Sequence, residues 1–240
     1  MESQGFAVCR AFADQNLLGL LEAGLTEVET DAGVRSRGGV YAIRNLLDAA
    51  PAMRTLASTG PLLELARTVL GQGARPVRGL LFDKHPDANW LVPWHQDLTI
   101  CLKERRHVEG FGPWSVKAGV VHVQPPAEIL EQMVALRIHL DDAGDANGAL
   151  RVLPGTHKLD RLTTQQVVEC QQRIAEVSCA ASRGDVLLMR PLLLHASSAS
   201  EKPGRRRVVH IEYASCTLPA CLHWHEEAVP QSDSENGADA

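Results

Sequence analysis

No apolar stretch in the 240 residues approaches the roughly 20 needed to span a bilayer. Basic residues are in the minority: 24 Lys and Arg stand against 29 Asp and Glu, for a formal net charge of −5. The chain therefore lacks the broad basic surface that nucleic acid or an anionic membrane would require, and neither is expected as a partner. The six cysteines (Cys9, Cys101, Cys170, Cys179, Cys216, Cys221) are scattered, with no Cys-x-x-Cys pair. Free thiols in a reducing cytoplasm are the expectation. The segment Met1-Glu2-Ser3-Gln4-Gly5 has neither the basic start nor the apolar stretch of a secretion signal. P-loop, dinucleotide glycine fingerprint and nucleophile elbow are all missing. There is no internal repeat and no Gly-, Ser- or Pro-rich linker. One domain is expected over residues 1–228, a helical portion of about 1–75 packed on a core of about 76–214. The polar, acidic tail 229–240 is expected to be disordered.

What is present divides into a mixed first third and a strand-rich remainder. A short strand Phe6 to Cys9 precedes a helix from about Asp14 to Glu27, with Asp14 as its N-cap. A second helix begins near Asn45. A third opens at Pro61, where proline suits a first turn, and stops at Gly71. Strands are predicted over Val77–Phe82, Trp90–Trp94, Met133–Leu140, Ala149–Leu153, Asp185–Met189 and Val208–Tyr213, each bounded by Gly, Pro, Asp or Asn. Asn147-Gly148 signals a tight turn. Helices interrupt the series near Pro126–Gln132 and Thr164–Arg173. Many short strands without βαβ alternation make the chain mainly β with flanking helices, a sandwich or jelly roll.

Chemistry concentrates at Trp94-His95-Gln96-Asp97. In a strand, residues two apart share a face, so His95 and Asp97 can converge on one atom. An iron(II) oxygenase needs two histidines and one carboxylate, with coordination positions left open. His195, which ends the apolar run Val186 to Leu194, is the best third ligand; a core histidine satisfied by a backbone carbonyl is the competing reading. A hairpin centred between Ser200 and Glu201 would set His195 opposite Arg206 on the next strand. A guanidinium there suits a small dicarboxylate that chelates a metal at its other end. Arg205 and Arg207 read as a solvated strand end. On strand Met133 to Asp141, Arg137, His139 and Asp141 alternate with Val134, Leu136, Ile138 and Leu140, giving either a polar barrel interior or a solvated face.

Four motifs in order, Trp94-His95-Gln96-Asp97-Leu98, Asn147 through Lys158, Gly184-Asp185-Val186-Leu187-Leu188, and His195 through Arg206, resemble phytanoyl-CoA dioxygenase-like enzymes over about residues 76–214. The resemblance implies a double-stranded β-helix (a jelly-roll, cupin-like core) and dependence on iron(II), 2-oxoglutarate and O₂. It implies His95, Asp97 and His195 as metal ligands and Arg206 as the anchor of the distal carboxylate. It also implies Ser197 as a polar contact to 2-oxoglutarate, with Arg137 and Leu80 lining its pocket. The position of Arg137 can be aromatic in relatives. Related halogenases replace the carboxylate ligand by a small residue, so the retained Asp97 points to hydroxylation or another oxidation of a small molecule rather than halogenation.

Two alternatives stand beside this: a cupin-like metalloenzyme that does not use 2-oxoglutarate, and a non-catalytic small-molecule binding protein on the same fold. Asp142 to Gly148 fails as a calcium loop, because Pro154 stands where a bidentate glutamate is required. Cys216, Cys221, His223 and His225 match no compact zinc spacing. Trp90, Phe111, Trp114 and His122 fall in or near the loops flanking the metal motif and have no assigned role.

Overall fold

The computed structural model describes residues 1–26, 28, 34–36, 40–201 and 204–226, with backbone only at 34–36, 40 and 41. The chain opens with β1 (Phe6–Cys9) and α1 (Gln15–Thr26), the latter capped by the Asp14 carboxylate, which accepts from the Leu17 amide at 2.8 Å. Next come β2 (Val34–Ser36), β3 (Val40–Ile43), α2 (Leu46–Ala49), α3 (Pro51–Ser58) and α4 (Gly60–Leu70). Gly71 stops α4 at φ 81° and ψ −178°, a conformation that a side chain would resist.

The strands of the remainder are β4 (Arg75–Lys84), β5 (Val92–His95), β6 (Ile100–Leu102), β7 (Trp114–Lys117) and β8 (Val120–Val123). After the short helix α5 (Ala127–Glu131) follow β9 (Met133–His139) and β10 (Leu150–Val152). Helix α6 (Thr164–Arg173) carries a full capping box from Thr163 and Gln166, and precedes β11 (Val177–Cys179), β12 (Val186–Met189), β13 (His195–Ser197) and β14 (Arg206–Ala214).

Two antiparallel sheets form the body: a large one ordered β1-β12-β9-β14-β4-β3-β2 and a small one ordered β11-β10-β13-β5. A three-stranded sheet, β6-β8-β7, stands apart. Along the large sheet the side chains alternate between two destinations. Leu81, Leu136, Ile138, Val209, Ile211 and Tyr213 join the helices in one core with Leu21, Leu46, Met53 and Leu62, all buried. The opposite face looks toward the small sheet; Leu187 and Met189 meet Leu150, Val152 and Leu193 there. This two-sheet arrangement is the jelly roll expected from the pattern of short strands.

Several expectations need correction. Strands β13 and β14 do not form a hairpin: β13 pairs with β10 and β5, β14 with β4 and β9. Strand β13 belongs to the small sheet and β14 to the large one, so the chain between them passes from one sheet to the other instead of reversing within a sheet. Asn147-Gly148 likewise makes a turn without a hairpin. A 3₁₀ turn, Asp145–Asn147, leads into Gly148 at φ 67°, and the flanking β9 and β10 lie in different sheets. The polar side of β9 is not solvated, since all seven of its residues are buried. Arg205 is solvated as expected although it pairs with Asp83 at 2.9 Å, whereas Arg207 is largely covered and pairs with both Asp141 and Glu22. The end of the first helix at Glu27 and the tail 229–240 lie outside the described residues.

Candidate metal centre

Strand β5 delivers His95 and strand β13 delivers His195, and the two are register partners in the small sheet. Asp97 follows two residues after His95, where its amide donates to the Pro191 carbonyl at 2.9 Å. One carboxylate oxygen of Asp97 lies 3.7 Å from Nε2 of His95, and the other 3.6 Å from Nε2 of His195. Among the described residues this is the only group of three His, Cys, Asp or Glu side chains whose ligand atoms lie within 4.8 Å of one another. The segment around Cys216, Cys221, His223 and His225 forms no such group.

The hydrogen bonds decide the tautomers. Nδ1 of His95 lies 2.8 Å from the Pro93 carbonyl, and Nδ1 of His195 lies 2.8 Å from the Leu193 carbonyl. A carbonyl only accepts, so both Nδ1 atoms carry the proton and both Nε2 lone pairs face Asp97. This answers the competing reading of His195: it is satisfied by a backbone carbonyl, and the same bond leaves its other nitrogen open. Burial pushes the His195 imidazole down to about 4 despite the Asp97 carboxylate, which keeps it neutral. Burial also opposes the charge on Asp97, but the surrounding His195, His95, His210 and Arg78 together hold the carboxyl below its usual range. Two imidazole Nε2 atoms and one carboxylate suit a divalent first-row metal, and the residues present fit iron(II).

Gln96, between the two ligands, points the other way and is buried. Its amide nitrogen donates to the carbonyls of Asp160 and Leu192, each at 2.8 Å, and its oxygen accepts from the Leu162 amide at 2.8 Å.

The ligands open into a cavity of about 250 Å³ that Arg206, Ser197, Arg137 and Leu80 also line. All seven residues expected at the site are thus brought to one cavity. Others that sequence reasoning passed over line it too, among them Arg78, Phe82, Lys84 and Glu212. Three of them, with Leu80, occupy alternate positions on β4, the period of one strand face, and that spacing was the signal available. Across the ladder, Arg206, His210 and Glu212 oppose Lys84, Leu80 and Arg78. A buried polar row results, in which Arg137 donates to Nδ1 of His210 at 3.1 Å and Arg78 pairs with Glu212 at 3.1 Å. Arg206 is buried and donates to the Gly148 carbonyl; burial and the nearby Arg137 pull it down to about 10. His122, a residue of β8, is buried with its Nε2 3.3 Å from the Cys101 thiol and does not line the cavity.

The sequence matches the family model described as phytanoyl-CoA dioxygenase over residues 1–208. The chain belongs to the phytanoyl-CoA dioxygenase family. It is 33% identical over 114 residues to the iron/alpha-ketoglutarate-dependent dioxygenase ausU of Aspergillus calidoustus, a stretch covering 47% of this chain and 36% of that protein. The matched stretch thus spans about a third of that relative's length. Among solved structures of this fold, AviO1 from Streptomyces viridochromogenes Tue57 aligns at TM-score 0.63 and 26% identity, over 90% of this chain and 92% of that one. EctD from S. alaskensis with 2-oxoglutarate and 5-hydroxyectoine aligns at TM-score 0.67 and 17% identity, over 88% and 72%. The second similarity concerns the double-stranded β-helix fold alone.

Proposed function

We propose that the protein is an iron(II)- and 2-oxoglutarate-dependent dioxygenase that hydroxylates a small organic molecule. His95, Asp97 and His195 hold the iron, and Arg206 with Ser197 receives the distal carboxylate of 2-oxoglutarate. Arg137 and Leu80 wall its pocket. The observation that carries this reading is a single cavity with a three-donor metal cluster and an inward arginine that has no carboxylate partner among the described residues. Its neighbours Arg205 and Arg207 both have one. A metal site without 2-oxoglutarate would have no use for a buried, uncompensated guanidinium. The cupin-type alternative is disfavoured on that ground.

Bound together, iron and 2-oxoglutarate supply the oxidising chemistry, in which O₂ is reduced and 2-oxoglutarate is converted to succinate and CO₂. The protein's own part is positional. The carbonyls of Pro93 and Leu193 fix the histidine tautomers, Gln96 fixes the direction of its two neighbours, and the polar row on β4 and β14 binds and orients anions. The retained carboxylate of Asp97 favours hydroxylation over halogenation.

No helix is long and apolar enough to cross a membrane among the described residues, and all six cysteines are free thiols, which supports a cytoplasmic location. The core shared by the N-terminal helices and the large sheet supports reading residues 1–228 as one domain.

The test is an anaerobic titration of the protein with iron(II) and then 2-oxoglutarate, following the weak visible charge-transfer band of the chelate. The band should appear in the native protein and be absent in His95→Ala and Arg206→Ala. Iron binding with no band would leave a metalloprotein that does not use 2-oxoglutarate; no iron binding would remove the enzyme assignment.

A further inference from the structure

Lys84 and Arg206 face each other as register partners across β4 and β14, both buried and both turned into the cavity. Like charges directly opposite in a ladder repel. The strands around this pair show how the chain treats charge elsewhere. One residue earlier on β4, Asp83 takes Arg205 on the outer face, and Asp141 takes Arg207. On the inner face no carboxylate among the described residues meets Lys84. Its ammonium donates to the Ser197 hydroxyl at 3.2 Å and the Ser198 carbonyl at 2.9 Å, both neutral, and lies 5.3 Å from the centre of the Trp90 ring. Three N–H donors and two such bonds leave one donor over. Arg137, also buried, adds a third positive charge nearby, and its hydrogen-bond partner is Nδ1 of His210.

Burying a charge without a counter-ion is costly, and burying two side by side more so. An apolar residue at position 84 would fill the space without that cost. The arrangement becomes favourable only when an anion sits between the two cations. We propose that Lys84 is a second cationic anchor for the distal carboxylate of 2-oxoglutarate, so that the carboxylate is held between Lys84 and Arg206 with Ser197 beneath it. This rests on the function proposed above and adds a residue to it. Ser197 ties the two parts together, because the same hydroxyl that accepts from Lys84 lies two residues from His195 on β13. Leu80, Phe82 and Leu150 close the sides of the cavity, so water competes poorly for the carboxylate.

The pairing also predicts a proton. Burial, and then the positive charges of Arg206 and Arg137, pull Lys84 down to about 7. The groups facing it are those two arginines from β14 and β9, and neutral Ser197 and Trp90 from β13 and the segment before β5. At pH 8 the free protein therefore holds much of Lys84 uncharged, and an arriving carboxylate raises its affinity for a proton. Binding of 2-oxoglutarate at pH 8 should take up a proton, and the affinity should weaken as pH rises from 6.5 to 8.5.

The experiment is anaerobic calorimetry on the iron(II)-loaded protein with 2-oxoglutarate at pH 6.5 and pH 8, in buffers of different ionisation heat. Pyruvate, which keeps the chelating end and lacks the distal carboxylate, serves as the second titrant. Lys84→Met and Lys84→Arg are compared with the native protein. Lys84→Met should raise the Kd for 2-oxoglutarate about tenfold or more at pH 6.5 and abolish the proton uptake at pH 8. Lys84→Arg should retain tighter binding than Lys84→Met, without the pH dependence. Pyruvate should bind all three alike, which also shows that iron loading and the fold survive. Equal 2-oxoglutarate affinity in native and Lys84→Met, or proton uptake that persists in Lys84→Met, overturns the role of Lys84 and leaves the dioxygenase assignment standing. Failure of the native protein to bind 2-oxoglutarate overturns both.

Discussion

The imidazoles of His95 and His195 lie directly opposite each other across β5 and β13, ring centres 4.1 Å apart. Two residues a hundred positions apart in sequence are thereby fixed by a single ladder rung, and Asp97 needs only the next turn of chain to complete the set. His195→Ala leaves two donors on one short segment. Iron(II) concentrations that saturate the native protein should then give no saturable binding, while denaturant stability falls by no more than about 1–2 kcal/mol. Saturable binding by the variant in an anaerobic titration would remove His195 from the ligand set.

Gln96 is expected to matter as much as a ligand without touching the metal. Gln96→Ala orphans the buried Leu192 carbonyl, the part-buried Asp160 carbonyl and the Leu162 amide. Each lost partner of this kind costs roughly 1–3 kcal/mol, and loss of a supporting contact lowers metal affinity about 10–100-fold. Urea melts together with iron titration check both, and a variant with full affinity for iron would show that the ladder alone orients the ligands.

Gly148 has no room for a side chain. A Cβ there would lie 2.5 Å from the Ser198 carbonyl oxygen, and φ is 67°. The Gly148 carbonyl is also the acceptor of Arg206. Gly148→Ala should cost about 1–3 kcal/mol and weaken 2-oxoglutarate binding as well, because the strain and the anchor share one residue. Thermal melts and cosubstrate titration on the same sample distinguish this from a purely structural loss.

Acid sensitivity should trace in part to Asp185. Burial opposes its charge, but the amides of Ala11 and Ser182 and the Arg10 guanidinium donate to it and hold it below the usual carboxylate range. Its contribution is thus present above the unfolded carboxylate pKa and is lost as pH falls through the lower, folded value. Asp185→Asn should be less stable than the native protein at pH 7, by about 1–3 kcal/mol. The gap should close progressively below the ordinary carboxylate range, as read from denaturation at a series of pH values. A gap that stays constant down to strongly acidic pH would assign the stabilisation to packing.

The parts of the fold legible in the sequence were those with local causes. Helix α4 carries Pro61 in its first turn and stops at Gly71, and α6 spans the predicted residues with its capping box in place. The metal motif was legible because a two-residue period puts His95 and Asp97 on one side of the chain. Partner choice between sheets was not. The alternation of β9 or β14 says which residues share a face and is silent on which strand lies alongside, so Arg206 was placed beside His195 in a hairpin that does not exist. It reaches the same cavity from the opposite sheet. The strands β6, β7 and β8, three or four residues each, are too short to carry a period. Helix α3 was passed over although Pro51, Met53 and Ala57 held its signal, one residue suited to the first turn and two apolar residues four apart. Lys84 was missed for a different reason: a lysine at a strand end reads as solvated until its ladder partner is known to be an arginine.

The bonds that orient the iron ligands all come from the chain itself: the carbonyls of Pro93 and Leu193, the Pro191 carbonyl on the Asp97 amide, and the three contacts of Gln96. Folding therefore builds the socket, and the metal has only to drop into it. Under the function proposed, such a protein should give up its iron and be recharged without refolding, so that the competent share follows iron supply and not the rate at which new chains are made.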